Sequence, residues 1–151
     1  MLTSFDIFSK LPGNWSFSRD IKNFKDPLSS GIVTGMASFT PVNGGEELHY
    51  EEQGIFVTDD GARYHIKKEY FFEFDIESQN IKKYFAQDGK KLGLFYIFGA
   101  KYSGEHQCAN DHYAAKYTFP VDDLIEFTQI YTVKGPNKDY VSGTRYRQAI
   151  T

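Results

Sequence analysis

From Arg63 to Ile76 the chain alternates with a period of two. Tyr64, Ile66, Lys68, Tyr70, Phe72, Phe74 and Ile76 fall on one side, and Arg63, His65, Lys67, Glu69, Phe71, Glu73 and Asp75 on the other. Successive side chains of a strand point to opposite faces, so this pattern specifies one long strand with a nearly apolar face that must be covered by a second layer. The same reading places strands at Asn14 to Ile21, Ile32 to Thr40, Glu47 to Thr58, Ile81 to Ala86 and Lys91 to Phe98. It places further strands at Asp111 to Phe119, Ile125 to Lys134 and Tyr140 to Ala149. Gly44-Gly45 and Asp88-Gly89 supply the positive φ that tight hairpins need. Gly54 is expected to mark a bend or bulge, and Tyr102 to Asn110 a loop. A short helical turn near Ser4 to Leu11 is the one departure from strand periodicity.

Nine or ten strands with turns about every ten residues predict an all-β meander. Closure into an antiparallel up-and-down barrel removes the exposed edges, and a sandwich is the alternative. The 151 residues fit one domain spanning 1–151. Core volume comes from 14 Phe, 11 Tyr and one Trp, which favours strands over helices. Seventeen basic residues against 20 acidic ones give a net charge of −3 with no basic band, so nucleic acid is not an expected partner. No apolar run is long enough for a membrane-spanning helix. A single cysteine, Cys108, and no signal-peptide pattern at Met1 to Asp6 predict a reducing, cytoplasmic setting.

Gly13-Asn14-Trp15 at the start of the first strand resembles the Gly-x-Trp signature of the calycins, the superfamily of lipocalins and fatty-acid-binding proteins. That resemblance implies that Trp15 lies across one barrel end, with an Arg of the last strand, Arg145 or Arg147, packed on it to close the barrel. A second resemblance covers more of the chain. It comprises Leu11-Pro12-Gly13, Trp15, Phe17, Arg19 and Ile21; then Tyr50, Glu52 and Gly54; then Glu105-His106, Cys108, Asp111 and Tyr113; then Gly135-Pro136, Lys138-Asp139-Tyr140, Thr144 and Tyr146. These look like the motifs of an uncharacterised lipocalin-like domain family of bacteria and fungi. The resemblance implies a lipocalin-like barrel and brings no activity with it.

Parity places Arg19 with Trp15 and Phe17, and Glu52 with Leu48 and Tyr50. If those faces point inward the barrel holds buried charge, which must be paired or await a ligand. In the ligand reading Arg19, with Lys68, anchors a carboxylate or phosphate while Tyr64, Tyr70, Phe72 and Phe74 wrap an apolar body. Tyr50, Glu52, Tyr113, Tyr140 and Tyr146 complete the candidate pocket, with Thr144 sharing the parity of the last two. The expected function is binding of a small, partly apolar and anionic ligand, for sequestration or delivery. The alternatives are an enzyme using Glu52 or His106 as acid or base, with Tyr50 or Tyr113 orienting the substrate, and an interaction module whose barrel is filled by its own rings. No cofactor is called for. His106, Cys108 and Asp111 are the weak zinc candidates, and Tyr140 or Tyr146 the residues that would ligate haem iron. Glu46-Glu47, Glu51-Glu52, Lys82-Lys83 and Lys90-Lys91 read as solvated faces and edge protection.

Overall fold

A computed structural model of the protein describes residues 1–101, 103–108 and 110–149. Helix α1 (Ser4–Lys10) begins at a capping box in which Thr3 and Asp6 exchange side-chain and backbone hydrogen bonds, and it buries Ile7 and Phe8. Ten strands follow: β1 (Gly13–Asn23), β2 (Gly31–Val42), β3 (Glu47–Thr58), β4 (Arg63–Asp75), β5 (Asn80–Gln87), β6 (Lys90–Phe98), β7 (Gly104–Cys108), β8 (Asp111–Thr118), β9 (Glu126–Lys134) and β10 (Asp139–Gln148). They form one antiparallel sheet in the order β6-β5-β4-β3-β2-β1-β10-β9-β8-β7. The two end strands of the chain pair along their length, from Trp15 opposite Gln148 to Asn23 opposite Tyr140. This curls the sheet into a nearly closed barrel whose seam lies between β6 and β7. At the seam β7 packs so closely on Tyr96 that a Cβ at Gly104 would sit 2.3 Å from the ring.

Two details differ from the sequence reading. The expected loop at Tyr102 to Asn110 contains β7, a five-residue strand that pairs with β8 from Gly104–Ala115 to Cys108–Asp111. Tyr102 and Ala109 lie outside the described residues. Gly54 is neither bulge nor bend in register: β3 runs unbroken with Gly35 on one side and Ile66 on the other. Its lack of a side chain is a packing requirement, since a Cβ there would stand 2.6 Å from the Thr34 carbonyl oxygen.

Burial along β1 alternates as parity requires, with Trp15, Phe17 and Arg19 buried and Asn14, Ser18 and Asp20 exposed. At the α1 end the inward rings fill the barrel. Trp15 meets Phe127 edge-on at 5.2 Å and donates from Nε1 to the Leu11 carbonyl at 2.9 Å, while Phe39, Phe72 and Phe98 close the same level. Phe5 and Phe8 of α1 cap it through Phe74. Arg145 and Arg147 do not close this end. They share parity with Ser18 and Ser16 and lie exposed on the outer face, where Arg147 makes a 3.4 Å ion pair with Glu126. Among the described residues no helix is long and apolar enough to cross a membrane.

Candidate functional site

Above the packed half, a charged layer crosses the barrel. Arg19 on β1 donates from both terminal nitrogens to the two carboxylate oxygens of Glu52 on β3, at 2.8 and 2.9 Å, and from Nε to Thr144 Oγ1 on β10 at 2.8 Å. Tyr50 donates to Glu52 at 2.6 Å and shares a 2.9 Å hydrogen bond with Tyr146. Burial alone would raise the Glu52 pKa, but the hydrogen bonds and charge of Arg19 outweigh it and hold the carboxyl below its ordinary value. Burial would likewise lower that of Arg19, and its hydrogen bonds to the Glu52 carboxylate, with the charge of that group, reverse the sign. Both shifts favour the ionised pair, and the Glu52 oxygens are occupied by donors.

A second layer centres on Lys83 of β5, which is 3% exposed. Its Nζ lies 2.6 Å from the Tyr131 hydroxyl and 3.3 Å from that of Tyr96, and 4.0 Å from the centre of the Tyr70 ring. Gln129 donates to the hydroxyls of Tyr117, Tyr131 and Tyr96 at 2.7, 3.1 and 3.4 Å, tying β6, β8 and β9 together near the amine. Among the described residues no carboxylate forms an ion pair with Lys83. Burial pushes its pKa well below that of an ordinary lysine, and the neighbouring charges of Lys68 and Arg19 push the same way, against the attraction of Glu52.

These layers floor a chamber of about 530 Å³ that extends toward the end of the barrel opposite α1. Its walls are Ile21, Phe56, Tyr70, Phe85 and Phe95, and its rim carries His106, Tyr113, Lys138 and Tyr140. The charge is one-sided. Arg19, Lys68, Lys83 and Lys138 line it, whereas Glu52, already paired with Arg19, is the one carboxylate among the described lining residues. Lys68 stands beside Glu52 across the β3–β4 pair, yet among the described residues its amine makes no hydrogen bond or ion pair and faces the open chamber. Desolvation by the surrounding protein, then the charge of Arg19, lowers its pKa. At the rim Lys138 donates to the Tyr113 hydroxyl at 2.6 Å. Burial pushes the Tyr140 phenol up to about 12.

Residues 11–148 match the sequence pattern of a family of unknown function, DUF6314. The chain belongs to that family. Among curated proteins none matches it. Of solved structures, the S-type phycobiliprotein lyase CPES from Guillardia theta is similar in fold, with a TM-score of 0.68 at 10% identity over 99% of this chain and 94% of that one. The likeness is one of fold.

In this DUF6314 barrel the motif residues of the sequence converge, because Arg19, Tyr50, Glu52, Thr144 and Tyr146 form the single network of the charged layer. Arg19, Glu52, Lys68, Tyr70, Tyr113, Tyr140 and Tyr146 all line the chamber. Tyr50 and Phe72 lie beneath it in the packed half. Of the four rings expected to wrap a ligand, only Tyr70 lines the chamber: Tyr64 is 56% exposed, Phe72 lies in the packed half and Phe74 packs on α1. Of the two cations expected as anchors, Arg19 is committed to Glu52, whereas Lys68 lines the chamber with no ion pair among the described residues.

His106 does line the chamber, edge-on to Phe85 and Phe95, but it does not join Cys108 and Asp111 in a metal set. Asp111 is buried and turned away to accept from the backbone N–H groups of Asn137 and Lys138, at 3.1 and 3.3 Å. That contact explains Gly135, where a Cβ would fall 2.0 Å from the Asp111 oxygen. No group of three or more His, Cys, Asp or Glu side chains among the described residues is placed to hold a metal ion. As for haem ligation, the Tyr146 hydroxyl is taken by Tyr50 in the buried layer.

Sequence reasoning missed Lys83, Phe85, Phe95, Gln129, Tyr131 and Lys138. It assigned the Lys82-Lys83 pair to solvent, and the structure buries Lys83; Glu52, read both as part of a solvated Glu51-Glu52 pair and as an inward pocket residue, is buried. The signal was present, since Lys83 alternates in step with Ile81 and Phe85. Adjacent like charges conceal such a parity because two neighbours on a strand never share a face.

Proposed function

We propose that the barrel binds a small, partly apolar molecule bearing a carboxylate or phosphate, and acts by sequestering or delivering it. The observation that carries this reading is a chamber of about 530 Å³ whose unpaired charge, the Lys68 amine, is positive within a protein of net charge −3. The volume lies in the range of small-molecule sites, which are largely apolar with a few convergent polar groups. A half-packed barrel explains both properties. The rings at the α1 end supply stability, and the charged floor disfavours a purely hydrocarbon ligand, which would displace water from the Lys68 amine and offer it no polar partner. The fold it shares with a phycobiliprotein lyase suits such a use of the interior.

The test uses 8-anilinonaphthalene-1-sulfonate, an aromatic anion, as a fluorescent probe, alongside native mass spectrometry of freshly purified protein for a retained molecule. Lys68→Met should weaken probe binding about 10- to 100-fold, the worth of one charge-assisted hydrogen bond. Unchanged affinity, or a probe that binds equally well to a variant with the chamber blocked by Ser142→Trp, would overturn the reading.

A further inference from the structure

We propose that Lys83 is a nucleophilic amine that captures an aldehyde or ketone ligand of the chamber as a covalent imine. The inference deepens the ligand-binding reading and rests on the chamber admitting a small molecule. Lys83 is placed at the junction of the open and packed halves, lining both the chamber and the small void beneath it. A buried lysine ordinarily has a carboxylate partner, and this one faces phenols instead: Tyr131 at 2.6 Å and Tyr96 at 3.3 Å, with Tyr70 beneath it. Glu52, the one carboxylate among the described lining residues, is held by Arg19 and Tyr50. The dry site and the cations Lys68 and Arg19 favour the neutral amine, the form that is nucleophilic.

The phenols supply the proton traffic that imine formation needs. The Lys83 lone pair attacks the carbonyl carbon, forming the C–N bond, and the carbonyl π pair moves to oxygen, which takes a proton from the Tyr131 hydroxyl. The nitrogen gives up one of its protons to restore that phenol. A second proton passes through the hydrogen-bonded hydroxyls of Tyr131 and Tyr96 to the carbinolamine oxygen, which leaves as water while the nitrogen lone pair closes the C=N bond. The nitrogen's last proton returns to the phenols. Amine plus carbonyl gives imine plus one water, with no oxidant or reductant involved. Lys68 and Lys138 then suit a ligand that carries an anionic group at the end remote from its carbonyl, and the rings of Phe85 and Phe95 suit an aromatic or unsaturated body between the two.

The experiment exposes the folded protein at neutral pH to 4-carboxybenzaldehyde with sodium cyanoborohydride and maps the reduced adducts by peptide mass spectrometry. Displacement of 8-anilinonaphthalene-1-sulfonate is followed in parallel. An unperturbed lysine with a pKa of about 10.4 keeps roughly one amine in 2,500 neutral at pH 7, so Lys83 should react at least about tenfold faster than the exposed lysines. Lys83→Met should lose the fast adduct and keep the slow ones. Adducts spread evenly over exposed lysines, or confined to Lys68, while the fluorescent anion is still displaced, would overturn the imine and leave the binding reading standing. Failure to displace it, with no adduct at Lys83, would overturn both.

Discussion

Replacing Glu52 with Gln tests whether the charged layer is a structural unit. The substitution conserves shape and removes one charge, leaving Arg19, 6% exposed, with a neutral amide in place of the two oxygens it grips at 2.8 and 2.9 Å. One of those oxygens becomes an NH2 donor aimed at a guanidinium that can only donate. Breaking a buried pair in this way costs about 3 to 5 kcal/mol, because the remaining ion stays out of water. For a chain of this length that is a fall in Tm of roughly 6 to 20 °C. Urea unfolding at constant m-value reads the free energy directly. The pH dependence supplies an independent check. Glu52 has a lowered pKa in the folded state, so its contribution is complete above the unfolded value of about 4.3 and is lost as pH falls through the folded value. The gap between wild type and Glu52→Gln should therefore close in acid. Arg19→Met combined with Glu52→Leu should recover most of the loss, since an apolar pair needs no solvation. A cost under about 1 kcal/mol for Glu52→Gln, as exposed ion pairs show, would refute the argument. A double variant no more stable than the single one would do so equally.

Two further predictions concern residues whose placement surprised the sequence reading. Because folded Lys83 holds its proton less readily than an unfolded lysine, the unfolded state binds more protons from the folded-state pKa up to about 10.4, and stability should rise with pH across that window. Lys83→Met should flatten that slope and, at neutral pH, stabilise the protein on the order of 1 kcal/mol; urea midpoints between pH 6 and 9 measure both. Arg145→Ala and Arg147→Ala should each change stability by less than about 0.5 kcal/mol and leave the Trp15 emission maximum unmoved, since both arginines lie on the outer face. A red shift in either variant would return an arginine to the barrel end.

The parity of this chain is legible without a structure. Trp15, Phe17 and Arg19, or Leu48, Tyr50 and Glu52, are assigned to one face by a period of two that the backbone geometry enforces, and all six prove to be buried. The hairpin turn at Asp88-Gly89 is equally local, with both residues at the positive φ that such dipeptides favour. β7 was harder to read, because five residues containing Gly104 and Cys108 carry too little alternation to register. What parity leaves open is the partner of each inward side chain. Arg19 meets Thr144 only because β1 pairs with β10 across 125 positions of chain, and Lys83 meets Tyr131 only because barrel closure brings β9 to face β5. Volume is a tertiary property in the same sense. The aromatic composition announced rings enough to fill a barrel, but whether they do so depends on strand tilt and on which level each ring occupies. Here the rings concentrate at the α1 end, and the remaining half of the interior is left to a ligand-sized space floored by charge.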